Sequence, residues 1–68
     1  MPLKIRQLKA KLQKAGFILR SGKGSHTVWR HPDLPYMPVT LSGKDGNDAK
    51  PYQIDDVRNA LRQLGREK

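Results

Sequence analysis

Two histidines, three serines and six acidic side chains are the groups from which this 68-residue chain could build a reactive centre. Cysteine is absent, so thiolate nucleophiles, disulfides and cysteine-ligated metals are excluded. None of Ser21, Ser25 and Ser42 stands in a Gly-x-Ser-x-Gly nucleophile context. Asp45, Asp48, Asp55 and Asp56 belong to a polar loop or a helix start, not to the apolar setting in which paired carboxylates act as acid and base. The Asp45…Asn47…Asp48 spacing lacks the downstream glutamate of a calcium loop. Gly22-Lys23-Gly24 lacks the spacing of a phosphate-cradling P-loop.

Histidine remains. An imidazole gives and takes protons near neutral pH. In RNA cleavage the nucleophile is the substrate's own 2′-OH, so a protein need supply only a base, an acid and cations for the phosphorane. His26 follows Lys23-Gly24-Ser25 at a turn-to-strand junction and is the candidate for proton transfer, although a lone histidine at a strand end is more often structural. His31 precedes Pro32 and reads as structural, holding the Pro32-Asp33 turn. A zinc site from both histidines and a carboxylate is disfavoured, because the two point to opposite faces of a regular strand. Neither a metal nor a cofactor is expected.

Lysine and arginine number 14 against 6 acids, for a net charge of +8. The charge is uneven. Lys4, Arg6, Lys9, Lys11, Lys14, Arg20, Lys23 and Arg30 precede Pro32 without one acid among them, whereas residues 33–68 are neutral in sum. Such a field suits a polyanion. Lys9, Lys14, Arg20, Lys23 and Arg30 are the candidate phosphate contacts, with Ser25 beside them; a solvated charged face is the plainer alternative. Trp29, Tyr36 and Tyr52 are candidate exposed aromatics. Trp29 alternates with Val28, and the expectation is that Val28 enters the core while Trp29 faces a base or a partner. The acidic residues of the 42–51 loop are expected to leave the basic half unneutralised. No apolar run approaches the ~20 residues of a membrane span, and no secretory signal is present, so a soluble cytoplasmic protein is expected. The acid-free N-terminus has the character of a transit peptide, but its apolar stripe assigns it to the core.

These groups need elements to hold them. Ile5, Leu8, Leu12 and Ala15 share a helical face, which predicts a helix over 3–15 ended by Gly16. Residues 17–21 and 26–31 read as strands joined by a glycine turn at 21–25, and residues 37–41 as a third strand after a proline turn at 31–35. Pro38 marks that strand as an edge. Ile54, Val57, Ala60, Leu61 and Leu64 predict a second helix, with Asp55 and Asp56 in its first turn and Gly65 as its cap. The resulting fold is α+β: one domain over 1–68 in the order α-β-β-β-α, a three-stranded antiparallel sheet with two helices on one face, as in double-stranded-RNA-binding-like folds.

A family resemblance follows from particular residues. Leu12…Ala15-Gly16-Phe17…Arg20…Lys23-Gly24-Ser25-His26…Trp29-Arg30-His31-Pro32-Asp33, continued by Ser42-Gly43-Lys44 and by Val57 to Gly65, resembles the HicA toxins of bacterial HicA–HicB toxin–antitoxin modules over nearly the whole chain. The resemblance implies a small endoribonuclease acting on mRNA, an mRNA interferase, with its catalytic histidine at His26. It also implies a HicB-like antitoxin that binds and blocks the toxin, the toxin being monomeric alone and hetero-oligomeric with its partner. Two departures stand out: many relatives carry histidine where this chain has Leu41, and a shorter approach to the last helix than residues 45–53. Charge alone would rank a non-catalytic RNA-binding module first; the Gly-Ser-His resemblance puts the ribonuclease ahead of it, with a domain for an acidic protein partner as a third class.

Overall fold

Ile5, Leu8, Leu12 and Ala15 recur at intervals of three and four, so a helix turns all of them to one side. In the computed structural model, which describes residues 3–65 apart from the side chains of Ser21 and Lys23, this segment is α1 (Ile5–Lys14) with all four residues buried. Gly16, at φ +100°, ends it. Its amide reaches the Gln13 carbonyl at 3.0 Å, and the Phe17 amide reaches the Leu12 carbonyl at 2.9 Å. That pair of bonds is a Schellman motif, with Phe17 and Leu12 both buried as its apolar contact.

The chain then forms β1 (Ile18–Lys23), β2 (His26–His31) and β3 (Leu34–Leu41), an antiparallel meander in the order β1-β2-β3. β1 runs two residues beyond the expected end, leaving a turn of only Gly24-Ser25. Gly24 alone there has positive φ, +62°, as at the first central position of a type II′ hairpin. β3 starts at Leu34 rather than at residue 37, and tolerates Pro35 and Pro38 because it is an edge strand whose ladder with β2 is irregular between Leu34 and Val39.

The second helix, α2 (Pro51–Gln63), begins with proline at a position whose amide has no helical partner. Asp55 and Asp56 therefore lie beyond its first turn, a correction to the expectation drawn from charge. Gln53 does the capping. Its Oε1 accepts the Lys50 amide at 2.9 Å, and its Nε2 donates to the Ser42 carbonyl at 2.9 Å, all from a nearly sealed position. Gly65, at φ +75°, follows the helix as expected. Val57, Ala60 and Leu61 join the α1 stripe and Trp29, Val39 and Leu41 of the sheet in one core, so both helices cover one sheet face.

Residues 42–50 do more than connect. The Ile5 and Arg6 amides, free donors at the start of α1, reach the carbonyls of Asn47 (2.9 Å) and Asp45 (3.2 Å). Asp48 pairs with Lys4, and Asp45 with Lys9 at 2.6 Å. The acidic loop thus neutralises part of the basic half, contrary to the expectation that the halves stay apart. The charges meet because the loop must fold back to supply acceptors to the helix.

Candidate nucleic-acid interface and catalytic histidine

The Lys23–His26 pair closes the β1–β2 hairpin. Gly22 is needed there for space: a side chain would meet the His26 carbonyl oxygen at 3.0 Å. Strand alternation then sorts β2 into two faces. Thr27 and Trp29 turn towards the helices, where the Trp29 indole Nε1 donates to Thr27 Oγ1 at 3.0 Å. His26, Val28 and Arg30 turn to the opposite, helix-free face, and His26 and Arg30 are exposed. No strand contains an acidic residue, so this open face carries cations without internal counter-charges from the sheet.

Trp29 is therefore not the exposed, base-stacking residue expected from sequence. It is 2% exposed and sits between Leu19 and Val39 on the covered face. The parity of the strand allows only one of Val28 and Trp29 inside, and an indole removes far more apolar surface from water than an isopropyl group. Tyr36 and Tyr52 are exposed as anticipated.

The candidate phosphate contacts divide among three places. Arg20 and Arg30 line one open depression of about 260 Å³ with Ile18, His31, Pro32 and Pro35. Lys9 and Ser25 line another groove, with Thr27, Lys44 and Asp45, on the side of α1. Lys14 is exposed at the end of α1. The Lys23 backbone is paired with His26, while its side chain lies outside the described residues. His26 and Arg30 share a face, whereas Lys9 is held by Asp45 beside the helices.

His31 is structural, as its place before Pro32 suggested. Its Nδ1 accepts the Asp33 amide at 3.0 Å and its Nε2 donates to the Ala15 carbonyl at 3.2 Å, which fixes the tautomer with hydrogen on Nε2. The ring meets Phe17 edge-on, centroids 5.1 Å apart. Both nitrogens are committed to the fold, on the face opposite His26, so the two histidines do not converge on a metal. Leu41 is fully buried and offers no chemistry. Sequence reasoning missed Gln53 and the loop's grip on α1. A glutamine at the third position of a helix that opens with Lys-Pro was the available signal for the first. For the second there was none, since it depends on contacts some forty residues apart in sequence.

Fold and site define a small basic α+β domain of α-β-β-β-α order, presenting one exposed histidine on an acid-free sheet face. The family model described as HicA toxin of bacterial toxin-antitoxin matches residues 5–65, and the chain belongs to the HicA toxin family. No curated protein matches it individually. Membership supports a toxin role within a toxin–antitoxin system and implies a cognate antitoxin as partner. No helix of the described residues is long and apolar enough to cross a membrane.

Proposed function

We propose that the chain, folded as one domain over its 68 residues, is an endoribonuclease toxin that cleaves mRNA through proton transfer at His26. The observation that carries this reading is the exposure of His26 at a tight hairpin end, on the sheet face that has Arg30 and no acid, in a chain of the HicA family. The substrate's 2′-OH attacks the adjacent phosphorus as His26 takes its proton, and the cations of the first half offset the charge of the phosphorane. The P–O5′ bond then breaks, leaving a 2′,3′-cyclic phosphate and a 5′-oxygen to which His26 returns the proton. Under this mechanism no metal ion takes part. A HicB-like antitoxin would silence the toxin by binding it.

A non-catalytic RNA-binding module is the second reading. It is favoured by the absence of any hydrogen bond from the His26 ring to another described side chain, since a catalytic base is usually oriented by a second group.

The test is cleavage of RNA by purified wild type, His26→Ala and His31→Ala at equal folded concentration, with and without EDTA. His26→Ala should lose roughly 10²–10⁴-fold in rate and keep its circular dichroism. Wild-type cleavage by His26→Ala would leave the binding module as the function, and loss of wild-type cleavage in EDTA would refute metal independence.

A further inference from the structure

Arg30 occupies an unusual place in the sheet. On its β1 side it pairs with Ile18, and two residues on, the ladder slips between Leu19–Trp29 and Ser21–Val28, so that Arg20 is an extra residue without a ladder partner. On its β3 side the ladder slips again, between Trp29–Val39 and His31–Leu34, and Arg30 has no partner there. Bulges bend a strand and re-aim side chains, and they concentrate beside functional sites. Here the two irregularities flank a single spot, and what they bring together is the depression lined by Arg20, Arg30, Ile18 and Pro35.

The lining has two parts. One is apolar, Ile18 with Pro32 and Pro35, and Ile18 is 52% exposed although it is a large aliphatic residue on a sheet face. The other is the exposed pair Arg20 and Arg30, with no carboxylate among the lining residues. Apolar surface and two cations in one depression match a nucleotide: a base to cover the apolar residues, phosphates to engage the arginines. Arg30 in its lining shares its strand and face with His26, four residues away along β2, or about 13 Å at ~3.3 Å per residue, while His31 and Pro32 close the depression at the end of the strand. One nucleotide cannot touch both His26 and Arg30.

We infer that the Arg20–Arg30 depression is a nucleotide subsite for single-stranded RNA, holding a base and its phosphates beyond the scissile step. The inference rests on the ribonuclease reading only for what happens at His26; the subsite itself is a binding claim. It makes the domain sensitive to RNA length, because a strand must run along β2 from His26 to Arg30 to fill both places. A protein segment with acidic side chains is the competing occupant, and RNA is favoured because Arg30 in the lining shares a sheet face with the exposed histidine.

The experiment uses 2′-O-methyl oligouridines, a hexamer and a dimer, whose blocked 2′-OH prevents cleavage. Binding is read by fluorescence anisotropy over a salt series, with circular dichroism confirming each variant's fold. Wild type should bind the hexamer at least tenfold more tightly than the dimer. Arg20→Gln/Arg30→Gln should lose most of that advantage, and its salt slope for the hexamer should fall by roughly 1.4, the value for two phosphate contacts on a single strand. Ile18→Ser should weaken the hexamer severalfold and leave the salt slope unchanged, since it removes apolar surface and no charge. Equal hexamer affinity in wild type and the double arginine variant overturns the subsite, as does an Ile18→Ser variant that binds like wild type. Wild-type cleavage by His26→Ala would overturn the catalytic mechanism alone, because these uncleavable probes do not depend on it.

Discussion

The imidazole of His31 bridges the carbonyl of Ala15, 3.2 Å from Nε2, and the turn that follows β2, so the end of the first helix and the sheet are joined through one ring. Ala15 is the last residue before the Gly16 stop, and its carbonyl is among those a helix leaves without an internal partner. The ring also covers Phe17, giving the junction an apolar contact besides its two polar ones.

His31→Ala should therefore destabilise the domain by about 1–3 kcal/mol, the usual consequence of leaving part-buried polar groups unsatisfied. Urea denaturation followed by tryptophan fluorescence measures it. The rate of RNA cleavage per folded molecule should change little, in contrast with His26→Ala. A variant as stable as wild type would show that water replaces the ring at no cost.

Gly16→Ala attacks the same junction from the helix side. Its φ of +100° disfavours any Cβ, and the new methyl would stand 3.1 Å from His31 Nε2. A loss of about 1 kcal/mol or more is expected, against the small gain that glycine replacement gives at unstrained positions. Combined with His31→Ala, the cost should shrink, because the clash disappears with the ring; a double-mutant cycle without coupling would contradict the proximity.

Trp29→Ala should cost about 3–5 kcal/mol, enough to unfold much of the population in so small a domain. Trp29→Phe retains most of the buried surface but abolishes the bond to Thr27, and should cost about 1 kcal/mol beyond the change in volume. Thermal melts distinguish the two. A folded Trp29→Ala chain with unchanged midpoint would restore the exposed reading.

Asp45→Asn releases Lys9. The pair is largely solvent-facing on the Asp45 side, so stability should change by less than about 1 kcal/mol. RNA binding should strengthen, and the salt slope should rise by roughly 0.7, since one more lysine becomes available to phosphate. An unchanged slope would mean that Lys9 does not meet RNA.

Much of the architecture was readable in advance because period and punctuation agreed. The α1 stripe fixed which side is buried, and Gly16 fixed where the helix stops. β2 was placed to the residue. The strand beginnings and ends beside it were not, because prolines at 35 and 38 argue against a strand unless an edge with a broken ladder receives them. His26 was legible as a residue at a turn-to-strand junction, though not its exposure, and His31 as a scaffold residue before a proline. Trp29 was not, since alternation determines that Val28 and Trp29 oppose each other but not which of them faces the helices. That choice is made by the summed burial of the whole core. The basic residues were counted correctly and grouped wrongly for the same reason: a linear charge tally does not know that Asp45 folds back onto Lys9.

The way residues 45–47 supply carbonyls to the first amides of α1 has a bearing on how the protein comes into being. A ribosome makes α1 before the 42–50 loop, so the acceptors that complete its opening turn emerge some forty residues later. Contacts of such sequence separation are slow to form, because the intervening chain must be ordered before they are made. The opening turn of α1 cannot be completed before residues 45–47 are made, and a nascent chain halted before residue 45 lacks the groups that finish it. Hydrogen exchange at the Ile5 and Arg6 amides would follow that late closure directly.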